Sequence, residues 1–209
     1  MQESNFIIQR GLTDNASREL IIDPKYLKFE NKDRVNNTFT TFEKDQIEEY
    51  RFGVKWMKYR FTFGREYVIE VKNSNKEIIK INFKTYFGRK KKEYHNLCNQ
   101  ILSALWDNYF AEIVENYIQK HERGEEFNIG EVSFLKEGII IETNSSIKLK
   151  KALIPWEKVR TKTYVTYFAI YAVDKAADTN RGYSYLNDWN TVVVRSVVTS
   201  LLKMKNIEG

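Results

Sequence analysis

Apolar and polar residues alternate along this chain in two successive passes, and each pass ends in a segment whose apolar residues recur at helical spacing. The first pass runs from Phe6 to His121 and the second from Gly124 to Lys205. Phe6 to Leu12 and Glu19 to Phe29 are β-prone pieces broken at Asp23-Pro24, where proline marks an edge or a bend because it cannot donate to a central ladder. Asn31 to Asn37 reads as a polar loop, and Thr38 to Tyr50 follows neither period. Three strands follow. In Lys55 to Phe63 the alternation places Met57, Tyr59, Phe61 and Phe63 inward and Trp56, Lys58, Arg60 and Thr62 outward, with Gly64-Arg65 as the turn. In Tyr67 to Lys72 the inward set is Tyr67, Ile69 and Val71; in Glu77 to Thr85 it is Ile79, Ile81 and Phe83. One polar face per strand is the signature of an antiparallel, half-solvated sheet.

From Lys90 the period changes. Leu97, Ile101, Leu105, Tyr109, Ile113 and Tyr117 form one i,i+4 row, and Tyr94, Cys98, Leu102, Trp106, Phe110, Val114 and Ile118 form the next. The spacing predicts a helix from Lys90 to Gln119, about 45 Å long at ~1.5 Å per residue. Its first half is expected to close the first domain and its second half to contact the second. The second pass holds short strands at Phe127 to Ile129, Glu131 to Phe134, Gly138 to Glu142 and Ile147 to Ala152, a turn at Asn144 to Ser146, and a longer strand at Tyr164 to Val173. Asp174 to Arg181 reads as a polar loop and Gly182 to Leu186 as a last strand. Thr191 to Lys203 is expected to be a closing helix, capped by Asn190 and finished by Lys203 and Lys205. Its five valines also permit a strand.

The fold class expected is α+β, mainly antiparallel β: two small bent-sheet barrels in tandem, residues 1–121 and residues 122–209, each closed by its C-terminal helix. The order Phe134, then Gly138-Ile139-Ile140, then Leu153-Ile154-Pro155-Trp156-Glu157-Lys158-Val159, then Tyr164 to Tyr171 and a short apolar helix resembles bacterial pleckstrin-homology-like (PH-like) domains, and among them a family carrying two such domains in tandem. The resemblance covers the second pass and follows the first in outline. It implies a strongly bent seven-strand sheet closed at one corner by a C-terminal helix, implies no enzyme activity, and transfers no site residue. Trp156 is then a core anchor. The chain departs from that pattern in the Asp174 to Arg181 insertion and in its basic first domain.

Composition narrows the picture further. A chain of 209 residues with 42% hydrophobic and 14% aromatic residues can build a real core, so it is not a disordered chain. One cysteine and two histidines exclude a disulfide framework and leave too few ligands for a structural zinc site. No phosphate-binding glycine loop, G-x-S-x-G or H-E-x-x-H occurs, so no catalytic residue, cofactor or metal is expected. The N-terminus lacks a signal pattern, and the longest run without a charge or amide, Tyr164 to Val173, is about half of the ~20 residues a membrane helix needs. A soluble, cytoplasmic protein is expected.

The net charge of +6 is unevenly spread: Arg51 to Lys92 carries 13 Lys/Arg against only Glu66, Glu70 and Glu77. Lys58, Arg60, Lys72, Lys80 and Lys84, with Trp56 among them and Arg89, Lys90, Lys91 and Lys92 following, are the candidate surface for a partner or a polyanion, either nucleic acid or anionic lipid. Lys-rich polar faces are also an ordinary means of keeping sheets soluble. Tyr183, Tyr185 and Trp189, beside Asp174, Asp178 and Asp188, are the candidate interface for a protein or peptide partner. Two further patterns carry less: Glu70-Val71-Lys72 has the E-x-K spacing of metal-dependent nucleases, and His95 with Cys98 spaces a base and a thiol one helical turn apart. The function expected is non-catalytic binding or scaffolding, most simply of a protein or peptide, with polyanion binding as the alternative.

Overall fold

Alternation becomes antiparallel pairing in every sheet. The computed structural model describes residues 2–11, 14, 16–30, 39–145 and 148–207; the loop expected at Asn31 to Asn37, and Ser146 of the turn expected at Asn144 to Ser146, lie outside these. The chain divides into two compact units, Met1–Ala111 and Glu112–Gly209.

In the first unit, β1 (Ser4–Gln9), β2 (Ser17–Ile22), β3 (Tyr26–Glu30) and β4 (Phe39–Glu43) form a meander in chain order. Pro24 sits in the turn between β2 and β3, where the Asp23 N–H donates to the Tyr26 carbonyl at 2.9 Å. A 3-10 turn at Lys44–Gln46 then redirects the chain into β5 (Ile47–Tyr59), β6 (Thr62–Asn73) and β7 (Ile78–Tyr86), a second meander. The buried side chains of Phe42 and Ile47 flank this corner and Leu20, Ile22, Leu27, Tyr67, Ile69, Ile81 and Phe83 fill the interior. The Lys84 N–H donates to the Arg10 carbonyl at 2.9 Å, which ties the end of the first strand to the last. Neither sheet closes on itself as a barrel.

The hairpin between β5 and β6 differs from the expectation. Its turn is Arg60-Phe61, with Tyr59 opposite Thr62, and Gly64 lies inside β6. The glycine is needed for approach, not for turning: a Cβ there would collide with the Thr85 carbonyl oxygen of β7. The pairing also slips by one residue between Ile47 and Glu49. Because side chains alternate with period two, such a slip exchanges the faces of everything downstream. Tyr50 opposes Val71, Phe52 opposes Ile69, Val54 opposes Tyr67, Trp56 opposes Arg65 and Lys58 opposes Phe63, so by register Trp56 and Lys58 share the face of Tyr67; both are nonetheless exposed, as expected, and Met57 is buried, as expected.

The long helix is also interrupted. α1 (Lys91–Leu105) is followed by a π turn at Trp106–Phe110 and then by α2 (Ala111–Glu122). The Ala111 N–H reaches back to the Trp106 carbonyl, one residue further than in an α-helix. Three consecutive residues of the widened turn, Asn108, Tyr109 and Phe110, are buried together. The Phe110 ring stacks on Tyr50 at 3.7 Å between centroids. The Tyr109 hydroxyl lies 2.8 Å from the Asp23 carbonyl and 2.7 Å from that of Tyr26, donating to one at a time. Tyr94, Cys98, Ile101 and Leu105 of α1 are buried within the first unit, and Tyr117 of α2 packs on Phe127 of the second.

The second unit repeats the plan. β8 (Phe127–Ile129), β9 (Val132–Phe134), β10 (Gly138–Ser145) and β11 (Lys148–Pro155) form a four-stranded meander; a 3-10 turn at Trp156–Lys158 follows; and β12 (Val159–Thr163), β13 (Tyr167–Ala172) and β14 (Asn180–Ser184) form a three-stranded one. β12 escaped the sequence reading because Arg160, Thr161, Lys162 and Thr163 show no apolar alternation. Trp156 is buried as expected and its indole N–H donates to the Leu135 carbonyl at 3.2 Å. α3 (Thr191–Met204) is a helix: Val193, Val194, Val197, Val198, Leu201 and Leu202 make one buried i,i+4 stripe, and packing that stripe outweighs the modest helix-propensity cost of valine. Asn190 holds the cap position in a left-handed conformation without a side-chain cap bond; the Thr191 hydroxyl instead reaches the Ser184 and Asp188 carbonyls at 3.1 and 3.3 Å.

Gly138 repeats the role of Gly64, since a Cβ on it would meet the Ile154 carbonyl oxygen. Gly64→Ala and Gly138→Ala are each expected to destabilise the protein by about 1–3 kcal/mol through overpacking against backbone. Urea unfolding followed by circular dichroism, with an unchanged midpoint for a control Gly124→Asn in the open helix-end position, checks this.

Candidate functional site

The outward face of β5, β6 and β7 is basic by count but not by geometry. Glu70 on the central strand is 7% exposed. The Arg51 Nε donates to its Oε2 at 2.7 Å, and the Lys80 ammonium stands 3.4 Å from its Oε1. Glu66 receives the Asn82 amide at 3.1 Å and pairs with Lys84 at 3.5 Å, while Lys72 pairs with Glu49. Cations on the flanking strands therefore meet Glu66 and Glu70 on the middle one, and Lys72 of the middle strand meets Glu49 on β5, the cross-strand arrangement that stabilises a sheet. Of the residues picked from the sequence as one surface, Lys72, Lys80 and Lys84 belong to this ion-pair ladder. Glu70, half of the E-x-K pair, is fixed by Arg51 and Lys80, and among the described residues no group of three or more His, Cys, Asp or Glu side chains is placed to hold a metal ion.

Trp56, Lys58 and Arg60 belong elsewhere. β7 ends opposite Gly64, so beyond that point β5 and β6 continue as a two-stranded ribbon. The ribbon proper is residues 58–63, and Trp56 and Arg65 lie at its base, still alongside Thr85 of β7. Trp56 is 72% exposed, Phe61 at the turn 82% and Phe63 55%. The Arg65 guanidinium lies over the Trp56 ring at 4.3 Å, and Phe63 meets Phe87 edge-on at 5.5 Å. Residues 54–65 contain Lys55, Lys58, Arg60 and Arg65 and no carboxylate. Arg89 and Lys90 line a cleft of about 310 Å³ with Lys84, Tyr86, Phe87 and Tyr94; Lys91 and Lys92 are exposed at the start of α1, and Lys90 pairs with Glu93 at 3.6 Å. Sequence reading found the cations and Trp56 but missed Val54, Phe61, Phe63, Arg65 and Phe87. The available signal was the twelve-residue stretch without an acidic residue and without the Gly or Asn of a tight turn at its centre.

The second unit has the same feature at the same place. Its β12–β13 hairpin ends in Tyr164, Val165 and Thr166, with Val165 97% exposed and Tyr164 stacked on Tyr167 at 4.3 Å. The Lys162 ammonium lies 5.3 Å from the Tyr164 ring centre, and Val159 to Phe168 holds Arg160 and Lys162 and no carboxylate.

The interface expected at Tyr183, Tyr185 and Trp189 is not presented. Tyr183 of β14 is 3% exposed and Tyr185, in the turn just after the strand, is buried with it; Trp189 is half-buried. Burial pushes the Tyr183 phenol up, and its hydroxyl has no hydrogen-bond partner among the described residues. Asp174 pairs with Lys158 at 2.8 Å, and Asp188 accepts the Ser184 N–H at 2.6 Å, so both serve the local fold. Cys98 is buried, which pushes its thiol up to about 12, while His95 is exposed; a thiol held neutral is not a nucleophile.

Compared with protein-family models and with curated proteins, the chain matches none. Among the described residues no helix is long and apolar enough to cross a membrane.

Two outcomes follow from these electrostatics. Glu70→Gln leaves the Arg51 and Lys80 charges without their shared partner and is expected to cost about 1–3 kcal/mol in urea unfolding. His121 stands edge-on to Trp156 at 5.3 Å, and burial, then the Lys205 charge, hold its imidazole below the usual histidine range. The unfolded chain then binds the proton more readily than the folded one, so stability falls as the pH drops through about 6.5 toward the lower folded value. His121→Gln is expected to flatten that part of the profile, read as urea midpoints between neutral and mildly acidic pH.

Proposed function

We propose that this is a non-catalytic binding protein built from two PH-like domains, which holds an anionic partner through the exposed hairpin ends. Each unit has four strands, a 3-10 corner, three strands and an attached helix, which supports the seven-strand bent-sheet reading of the sequence. The observation that carries the function is the acid-free end of the β5–β6 hairpin, where exposed Phe61 and Phe63 stand with Lys58 and Arg60, and where Trp56 and Arg65 stack at its base. Unneutralised cations attract an anionic partner at long range, and exposed aromatics give it apolar area at contact. The ladder of Lys72, Lys80 and Lys84 contributes less, since its charge is already met within the sheet. A protein or peptide partner is the second reading, favoured by the aromatic content of the ribbon, whereas the buried Tyr183 and Tyr185 offer it nothing.

Retention on an immobilised sulfated polyanion tests this. The double change Lys58→Glu with Arg60→Glu is expected to lower the salt needed for elution sharply, because each lost phosphate- or sulfate-type contact reduces the salt dependence by about one ion. Lys80→Glu with Lys84→Glu is expected to shift it less. Equal shifts for the two pairs, or no retention of the unaltered protein, would sink the assignment to the ribbon.

A further inference from the structure

We propose that the β5–β6 hairpin of the first unit binds single-stranded nucleic acid, with one nucleotide at each of its ring-and-cation pairs. The inference rests on the binding role assigned above and names the partner.

The pairing register sets an aromatic ring beside a cation at every second position. Trp56 is opposite Arg65, Lys58 is opposite Phe63, and Arg60 adjoins Phe61 at the turn. The Arg65 guanidinium lies 4.3 Å from the Trp56 ring centre, and the Arg60 guanidinium 5.4 Å from that of Phe61. All three rings are exposed, and no carboxylate occurs from Val54 to Arg65. Every second residue of a strand shares a face, so the Trp56–Arg65 and Lys58–Phe63 pairs are successive rungs, about 6.7 Å apart at ~3.3–3.4 Å per residue, and the turn is the next step. A nucleotide has about twice as many backbone bonds as an amino-acid residue, so one extended nucleotide spans about two residues of extended chain. The rungs therefore repeat as an unstacked single strand repeats. Each nucleotide brings one ring and one negative charge, and each rung offers one ring and one positive charge.

A second observation extends the surface. Phe63 meets Phe87 edge-on at 5.5 Å, and Phe87 also lines the cleft of about 310 Å³ that Tyr86, Tyr94, Arg89 and Lys90 help to form. That volume is at the lower end of the ~300–1,000 Å³ of small-molecule sites, a size for one further nucleotide. The Lys90–Glu93 pair at its rim is exposed, so a phosphate displaces the carboxylate at little cost.

Other polyanions use less of this arrangement. A duplex keeps its bases stacked on one another and presents the cations with phosphates alone. An acidic peptide matches the spacing but carries no ring on each charged unit. A bilayer takes up apolar groups at one shallow depth, whereas Trp56, Phe63 and Phe61 stand at three successive heights along the hairpin.

Fluorescence anisotropy of the full chain with a short labelled oligodeoxyuridylate is the test. The unaltered protein is expected to bind it at least about tenfold more tightly than an abasic chain of equal length and charge, because the abasic chain has nothing to stack. This comparison needs no variant. Phe61→Leu with Phe63→Leu keeps apolar area and removes two rings; it is expected to weaken binding by about tenfold or more. Lys58→Gln with Arg60→Gln is expected to weaken binding and to lower its salt dependence by about one to two ions. The oligomer is expected to quench a component of the emission that Trp56→Phe lacks. These side chains are exposed, and circular dichroism confirms that each variant folds. Oligouridylate, which adds only the 2′-hydroxyl, assigns the strand to RNA or DNA, and tight binding of either supports the proposal. Equal affinity for the abasic chain, or no loss with the leucine pair, would leave charge alone at work and overturn the single-strand assignment. A duplex or anionic vesicles bound in preference to the single strand would overturn it too. No oligonucleotide binding, with retention on the sulfated polyanion still dependent on Lys58 and Arg60, would overturn the partner and leave the binding role standing. Absence of both activities would overturn the binding role as well.

Discussion

Each unit depends on one corner. The chain must pass from a four-stranded to a three-stranded sheet while keeping a single interior, and it does so through a 3-10 turn flanked by two buried apolar residues five positions apart. These are Phe42 and Ile47 in the first unit and Ile154 and Val159 in the second. The flanking backbone is extended on both sides, so the turn redirects the chain without ending the apolar alternation. In the second unit Trp156 fills the corner and satisfies its indole N–H on the Leu135 carbonyl. In the first, Gln46 returns its side-chain oxygen to the Glu43 N–H at 3.2 Å, a polar solution to the same bend. Everything that follows the corner inherits its phase.

In the first unit that phase is then reset. The one-residue slip between Ile47 and Glu49 turns Tyr50, Phe52 and Val54 to the core and carries Trp56, Lys58 and Phe63 onto the same side beyond it. β5 and β6 run past the end of β7, and the overshoot leaves Phe61 and Phe63 exposed. An isolated two-stranded ribbon has little stability of its own, so its persistence depends on the three-stranded sheet at its base, where Gly64 lets β6 approach β7 closely.

Charge is divided by the same geometry. Where β6 is central, its glutamates sit between cations on both neighbours, and the sheet neutralises itself. Where the third strand ends, the carboxylates end too, and Lys58 and Arg60 are exposed beside exposed rings, with Arg65 half-buried over Trp56 at the base. The local excess of positive charge that the sequence shows is therefore concentrated at one end of a sheet rather than spread over its face.

Much of the fold was legible from spacing alone. Period-two alternation marked β6, β7 and β10, the i,i+4 rows marked α1 and α2, and the valine stripe with its capping position marked α3, because these patterns are set by local geometry. Cys98 as a packed thiol followed from the same rows, and Trp156 as a core residue followed from the resemblance to PH-like domains. What sequence could not settle were the features fixed by register and by close approach. The slip in β5, the turn at Arg60-Phe61, the strand role of Gly64 and the π turn at Trp106–Phe110 each change which face a side chain occupies, and each is decided by atoms distant in the chain. Tyr183 and Tyr185 illustrate the consequence: their composition reads as an interface, but the end of β14 and the turn after it bury them. Composition and period determined the elements and the excess of cations; pairing register, a tertiary property, decided which of those residues reach the surface together.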